Sequence, residues 1–486
     1  MKLRELLRDV PVRRAAADLD MELGDVVFDS RRVKPGDLFV AVPGYSVDGH
    51  RFIPMAAERG AAAVLCQTPP ADLALPWVAV DDSRLALALV SRNYFGDPAA
   101  GMKLVGVTGT NGKTTSTLLL KHCIERTLGA KVGLIGTNGN RIGDRELPAE
   151  RTTPDSRSLQ ALLREMADAG CGYVVMEVSS HALDQDRAAG LRFAAGVFTN
   201  LTQDHLDYHG TMERYALAKA KLFSMSDAAV LNLDDAWAER FLASAGEKVY
   251  TYAIDAPQAL LRAEAVELLP AAVRFRAVQR DGTGVPVSLG IPGRFTVYNA
   301  LDVLACCGVL GIPLADAAAA LGDAQGVRGR VEPVPTDGDY TILIDYAHTP
   351  DALENVLRTV RESAPGRVVA VFGCGGDRDR GKRPIMGAIA TRLADYSVIT
   401  SDNPRTEDPE AIIREITAGI TAGPERWCTV PDRAEAIAFA IERHRPGDVI
   451  VLAGKGHETY QEVGHVKRHM DEREIVAEIL ERRRRA

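Results

Sequence analysis

Lys103-Leu-Val-Gly-Val-Thr-Gly-Thr-Asn-Gly-Lys-Thr-Thr-Ser-Thr117 is the stretch on which the reading of the whole chain turns. Its first part, Leu104 to Val107, is a short apolar run that predicts a buried strand. Gly109 and Gly112 then predict a tight loop. Leu120, Cys123, Ile124 and Leu128 recur at helical spacing, and Gly129 supplies a stop. Strand, glycine loop, Lys-Thr and helix together form a phosphate cradle. The backbone N–H groups of Gly109, Thr110, Asn111, Gly112, Lys113, Thr114 and Thr115 turn toward an anion. The helix N-terminus and Lys113 add positive charge, and Thr114 offers a hydroxyl to Mg²⁺. The strict G-x-x-x-x-G-K-[ST] pattern is not met, because Val107 stands at its first glycine. The bland alternative is a strand-to-helix turn that happens to contain Gly-Lys-Thr. The strand and helix context favours a nucleotide, ATP or GTP, without naming a reaction.

Outward from this loop, strands and helices alternate. Strand Lys131–Ile135, helix Ser156–Ala169, strand Tyr173–Val178, strand Ala195–Thr199, helix Met212–Met225 and strand Ala228–Leu233 predict a parallel, doubly wound sheet. Such sheets bind ligands beyond the carboxyl ends of their strands, where Glu177, Ser179, Asn200 and His205 fall. A second α/β pattern follows, with strands Thr341–Ile344, Val368–Phe372, Tyr396–Thr400 and Asp448–Leu452. Each runs into a polar or glycine-rich loop: Asp345–Pro350, Gly373–Pro384, Ser401–Arg405 and Ala453–Glu458. Before the phosphate loop, strands Asp37–Pro43, Ala62–Cys66 and Trp77–Val80 and helix Ile53–Arg59 predict a smaller α/β domain. Its polar segments Asp29-Ser-Arg31 and Gly44–Phe52 read equally as turn chemistry or ligand contacts. At ~150 residues per domain, the 486 residues divide into three: 1–98, 99–330 and 331–486.

The bulk composition narrows the function. A net charge of −8 gives no support for a nucleic-acid surface. Seven scattered cysteines without a C-x-x-C pair point to reduced thiols in a cytosolic protein rather than disulfides or zinc. The N-terminus lacks a continuous apolar stretch. The most apolar run, Ala300–Leu321, is broken by Asp302, Pro313 and Asp316, so neither a signal peptide nor a membrane span is expected.

Individual residues carry two readings each. Glu177 closes an apolar strand, where a carboxylate is costly unless it meets a cation, either Mg²⁺ or a Lys or Arg. His205 stays open, since Mg²⁺ prefers oxygen to imidazole. Lys219 reads from its surroundings as a snorkelling surface lysine, although apolar neighbours would also lower its pKa. Arg405 follows Asp402-Asn-Pro404. It is either a surface residue on a rigid turn or, with Arg378 and Glu458, a clamp for a substrate bearing a carboxylate and an amine.

Taken together these segments resemble the Mur ligase family, in the branch that adds diaminopimelate. The resemblance runs in order through Asp29-Ser-Arg31, Gly109–Thr115, Thr152-Thr-Pro154, Glu177–His181, His205–His209, Ala218-Lys219, Asp345–His348, Gly376–Asp379, Asp402–Arg405 and Gly454–Glu458. The family's own phosphate loop lacks the first glycine, which accounts for Val107. The resemblance implies an α/β fold of three domains: a central P-loop ATPase domain with a parallel sheet, a small N-terminal α/β domain that holds UDP-sugar, and a C-terminal Rossmann-like domain that holds the amino acid. Ser30 and the loop after Gly44 would hold the UDP part of UDP-MurNAc-L-Ala-D-Glu. Thr152, Thr153, Ser179, Gln185 and Arg187 would hold its muramoyl-dipeptide part. Gly109–Thr115 would bind ATP phosphates, with Asn299, Asp345 and His348 near the adenosine. Lys113, Glu177, His205 and Lys219 are the implied catalytic residues, and Thr114, Glu177, His205 and a carbamylated Lys219 would serve Mg²⁺. Arg378, Asp402, Asn403, Pro404, Arg405, Gly454 and Glu458 would receive meso-diaminopimelate. The reaction implied is ligation through an acyl phosphate by a cytoplasmic monomer. Thr296, where the family usually has Asn, is a departure. The rival readings are a lysine-adding ligase, a folylpolyglutamate synthase-like ligase and a P-loop ATPase that works as a switch.

Overall fold

The computed structural model describes residues 1–44, 47–324 and 326–485. Contacts gather the chain into two compact units, Met1–Arg262 with Leu301–Ala317, and Ala263–Ala300 with Ala318–Ala486.

The first unit begins with a five-stranded sheet in the order Val12–Ala16, Trp77–Val80, Ala63–Cys66, Leu38–Val40, Val26–Val27. It is parallel except for the first pair. The strand expected over Asp37–Pro43 is confined to Leu38–Val40. Asp37 stays outside it because its carboxylate accepts the N–H groups of Asp25 and Lys34, both at 2.9 Å, and so closes the preceding turn. Helix Ser83–Tyr94, capped by Asp82, lays Ala86, Leu87, Leu89 and Val90 on Leu38, Leu65 and Val78.

The same unit holds the central sheet. Lys103–Thr108 lies between Tyr173–Glu177 and Ala195–Phe198, all parallel, with Glu177 beside Val107 and Phe198 beside Thr108. Val132–Ile135 extends it on one side, and Ala229–Asn232 and Val249–Ala253 on the other. Except for Val249–Ala253, these strands are buried on both faces along nearly all their length, as a parallel sheet covered by helices requires. Helix Ser156–Asp168 packs Leu159, Leu163 and Met166 against Leu104, Val174 and Met176. Helix Met212–Ser224 packs Tyr215, Ala216 and Phe223 against Phe198 and Leu231.

The expected alternation of strand and helix breaks down at the sheet's margins. Asn140–Ile142 and Arg145–Leu147 add antiparallel strands. Val249–Ala253 leads to Leu261–Leu269 without an intervening helix, and Ala272–Gln279 with Gly284–Leu289 forms an antiparallel hairpin. The physical reason is a period of two: Val273, Phe275 and Ala277 are buried while Arg274 and Arg276 face water.

The second unit carries a six-stranded sheet in the order Glu332–Val334, Thr341–Asp345, Val449–Ala453, Val368–Phe372, Tyr396–Ile399, Trp427–Thr429. It is parallel after its first pair. Alternate residues feed two cores. Val368, Ala370 and Phe372 meet helices Pro350–Ser363, Lys382–Leu393 and Pro409–Thr417. Val369 and Val371 meet Arg433–Glu442 and Glu472–Arg485. Asp345, Ala453 and Phe372 stand in one row of the ladder, so the loops after them leave the sheet side by side. No helix among the described residues is long and apolar enough to cross a membrane. All seven cysteines are free.

Candidate active site

The phosphate loop is built on its own backbone and on the neighbouring strand end. Thr110 N–H donates to the Asn200 carbonyl at 2.8 Å, and Asn111 N–H to Asn200 Oδ1 at 2.9 Å. Gly109 adopts φ +155°, and a side chain there would collide with Thr199 Oγ1, so glycine is required. Lys113, at the start of helix Lys113–Leu128, donates from Nζ to the carbonyls of Gly109 and Thr110 at 2.9 and 2.8 Å. Burial lowers its pKa, and the charges of Glu177 and Asp204 oppose that shift. Thr115 follows in the helix's first turn.

Glu177 sits at the end of its strand, buried. Its Oε1 accepts from Thr114 Oγ1 and from Thr137 N–H, each at 2.9 Å, and its Oε2 from Thr137 Oγ1 at 3.1 Å. A buried carboxylate touched by hydroxyls at the mouth of a phosphate loop suits a hard divalent cation. Thr114 and Glu177 supply oxygen ligands of the type Mg²⁺ takes. The chain of contacts continues outward from here. Thr137 Oγ1 meets Thr152 Oγ1 at 2.9 Å, and Thr153 Oγ1 donates to the Glu177 carbonyl at 2.9 Å and accepts the Ser179 N–H at 3.1 Å. Arg187 reaches the Thr153 carbonyl at 3.0 Å and Gln185 Oε1 at 2.9 Å. Thr152, Thr153, Ser179, Gln185 and Arg187 are thus one network with Glu177. Thr137, which joins Thr152 to Glu177, was visible in the sequence only as a loop residue after a strand.

Lys219 corrects the surface reading drawn from its neighbours. Helix Met212–Ser224 turns it inward, and it is 1% exposed, with Nζ donating to the Gly109 carbonyl at 2.8 Å. Burial, reinforced by Lys113, holds its pKa well below the ordinary lysine value. Lys221 is the outward lysine, paired with Asp186 at 3.2 Å. His205 is exposed with left-handed backbone, φ +53°, and its ring centroid lies 4.8 Å from that of His181. Among the described residues no group of three or more acidic, His or Cys side chains is placed to hold a metal ion. Ser30 opens the short helical turn Ser30–Arg32 beside the N-terminal sheet and is buried, with Oγ 3.5 Å from Met55 Sδ on helix Ile53–Glu58. Tyr45 and Ser46, in the loop after Gly44, lie outside the described residues.

In the second unit, Asp345 is buried and accepts the N–H groups of Val331 and Ala347, both at 2.8 Å. Burial raises its pKa against those bonds. It orders the loop carrying Tyr346 and His348, and the Tyr346 ring lies 4.9 Å from that of His457. Asn299 is buried on helix Arg294–Val309, and its Nδ2 makes no hydrogen bond among the described residues. Thr296 on the same helix is buried and donates to the Pro292 carbonyl at 2.9 Å, a local bond that an Asn need not supply.

Asp402, Asn403, Gly454 and Glu458 converge around a residue the sequence reading passed over, Lys455. It is fully buried, and its Nζ lies 3.0 Å from Asn403 Oδ1, 3.1 Å from Glu458 Oε2 and 3.9 Å from Asp402 Oδ1. Asn403 Nδ2 donates to Glu458 at 2.9 Å. Gly454 has φ +117°, and a side chain there would come within 2.7 Å of Asp402 Oδ2. The only signal for Lys455 was a lysine between two glycines. Pro404 accepts the Glu407 N–H at 3.0 Å. Arg378 is exposed on the adjoining loop. Arg405 is half-buried, with Nε on Glu462 at 3.0 Å and Nη1 on the Gly376 carbonyl at 2.8 Å. Buried Arg383 bridges Glu407 and Glu415 at 2.8–2.9 Å and drives the Glu407 pKa down to about 2.

Family profiles match in the same order as these elements. "Mur ligase family, catalytic domain" matches residues 25–94, "Mur ligase middle domain" 107–307, and "Mur ligase, glutamate ligase domain" 329–456. The chain belongs to the Mur ligase family. This Mur ligase is 45% identical over 487 positions to the UDP-N-acetylmuramoyl-L-alanyl-D-glutamate–2,6-diaminopimelate ligase of Clostridium tetani, covering 99% of each chain. It is 46% identical to the protein of that name from Geobacter metallireducens, covering 98% of each. A solved structure titled as the same ligase superposes with a TM-score of 0.79 at 34% identity, covering 100% of this chain and 99% of the other. The resemblance carried by short motifs therefore extends across the whole Mur ligase chain, and the α/β fold with three Mur ligase domains is the fold of its relatives.

Proposed function

We propose that this Mur ligase joins meso-diaminopimelate to the D-glutamate γ-carboxylate of UDP-MurNAc-L-Ala-D-Glu, consuming ATP and releasing ADP and phosphate, in peptidoglycan precursor synthesis. The observation that carries the reading is end-to-end identity of 45% to a diaminopimelate ligase, in a chain that has side-chain networks on Glu177 and on Lys455. Residues 1–98 hold UDP through Ser30 and the Gly44 loop. Residues 99–330 bind ATP, and residues 331–486 bind the amino acid, as a cytoplasmic monomer.

When bound, ATP supplies the phosphoryl group and Mg²⁺ neutralises its charge. Gly109–Thr115 hold the phosphates, Thr114, Glu177 and His205 serve Mg²⁺, and Asn299, Asp345 and His348 serve the adenosine side. Lys113 places positive charge where the transferring group develops negative charge. The low pKa of Lys219 favours a neutral amine, which attacks CO₂, forms a C–N bond and loses a proton to solvent. The resulting carbamate is an oxygen ligand. Thr152, Thr153, Ser179, Gln185 and Arg187 hold the muramoyl dipeptide so that its γ-carboxylate becomes the acyl phosphate. Arg378, Asp402, Asn403, Pro404, Arg405, Gly454 and Glu458 hold the amino acid whose amine displaces phosphate from it.

The test is ADP release with UDP-MurNAc-L-Ala-D-Glu, comparing meso-diaminopimelate with L-lysine. Release dependent on diaminopimelate is expected. Equal rates with both amino acids, or hydrolysis independent of either, overturn the reading.

A further inference from the structure

Arg405 is the non-glycine residue of the amino-acid cluster that holds a positive φ. Its φ is +48°, a left-handed conformation that residues other than glycine hold only where the surroundings fix it, and such residues gather at functional sites. What fixes it is an antiparallel hairpin, Tyr460–Val463 with Val466–His469. The Arg405 N–H donates to the Glu462 carbonyl at 3.0 Å, and the Gly464 N–H donates to the Arg405 carbonyl at 2.7 Å. The same hairpin grips the rest of the loop. Gln461 Nε2 donates to the Asp402 carbonyl at 2.7 Å, and the Glu462 N–H donates to Asn403 Oδ1 at 2.9 Å. The Glu462 carboxylate then takes Arg405 Nε at 3.0 Å, while Nη1 goes to the Gly376 carbonyl. Nη2 makes no hydrogen bond among the described residues.

We infer that Glu462 is a positioning residue that sets amino-acid specificity by aiming the Arg405 guanidinium. This inference rests on the proposed function. A guanidinium on a flexible stem loses rotamer freedom when it binds a carboxylate; one already held at Nε and Nη1 has lost it beforehand. The open Nη2 end is left for the second carboxylate of a diamino diacid. Lysine lacks that group and gains nothing from the preset fork. Discrimination therefore depends on the Glu462–Arg405 pair and not on Arg405 alone. Charge-assisted bonds of this kind are among the stronger side-chain contacts.

The experiment measures steady-state constants for Glu462→Gln and Glu462→Ala beside wild type. Glu462→Gln, which keeps an acceptor oxygen, is expected to raise the KM for meso-diaminopimelate about tenfold, and Glu462→Ala more, with kcat and the KM for ATP within about twofold of wild type. On an Arg405→Ala background, Glu462→Gln should then change the diaminopimelate KM less than about twofold. Unchanged diaminopimelate KM in both single variants overturns the inference. So does a parallel rise in the ATP KM, which marks a general structural role, or an undiminished effect on the Arg405→Ala background, which marks direct contact with substrate. A wild-type enzyme that does not use diaminopimelate sinks the functional reading itself, whereas diaminopimelate-dependent wild type with indifferent variants sinks only this inference.

Discussion

The phosphate loop and the amino-acid cluster are both strand-end sites on parallel sheets, yet they are held together by different means. Gly109–Thr115 is positioned largely by backbone: carbonyls of Gly109 and Thr110 receive Lys113, and the Gly109 carbonyl also receives Lys219. Asp402–Arg405 and Gly454–Glu458 are positioned largely by charged side chains that pair across more than fifty residues, Lys455 with Asn403 and Glu462 with Arg405. A backbone-built site presents the same cradle wherever its short motif occurs. A side-chain-built site is easily retuned, which suits the amino-acid-binding role proposed for it.

Three measurements test that contrast, beginning with the largest effect. Glu177→Gln keeps the shape of the network but removes the charge facing the phosphate loop. It should lower kcat about 10²–10³-fold in ADP release, and a loss under about tenfold would remove Glu177 from the chemistry. Next, Lys455→Met leaves Glu458 and Asp402 without their buried cation. Breaking a buried pair costs about 3–5 kcal/mol, read in urea denaturation of the whole chain. A loss below about 1 kcal/mol, the value typical of exposed pairs, would show the cluster to be solvated rather than charge-built. The smallest effect is the pH response of the Arg383–Glu407 contact. The folded pKa of Glu407 is about 2, below its ordinary 4.5, so its contribution to stability is present above pH 4.5 and is lost as pH falls toward 2. Glu407→Gln should flatten the stability profile across that window, and an unchanged slope would contradict the assignment.

Much of the fold was legible because it rests on short-range patterns. Val368–Phe372 and Trp77–Val80 end where their apolar runs end. The missed strands between Val249 and Leu289 show the opposite case. Arg274 and Arg276 alternate with buried residues in a way only visible once a period of two is sought. Lys219 was misread from its neighbours because Ala218 and Ala220 on either side do not reveal which side of the helix faces the core, and the direction came from Tyr215 and Phe223 packing on Phe198.

By itself the sequence determined the local devices. Lys113 follows a glycine-rich loop at the helix start, and Asp402-Asn-Pro-Arg405 marks a polar turn, each a consequence of residues within a few positions. Only the tertiary structure decided which charges meet. Lys455 lies 52 residues from Asn403 and Glu462 lies 57 from Arg405, and pairing at that separation depends on strand order. Val449–Ala453 is inserted between Thr341–Asp345 and Val368–Phe372, and this brings the Gly454 loop among the other loops of that sheet edge. Strand order is set by burial of both sheet faces, a property of the whole unit that no short stretch of sequence carries.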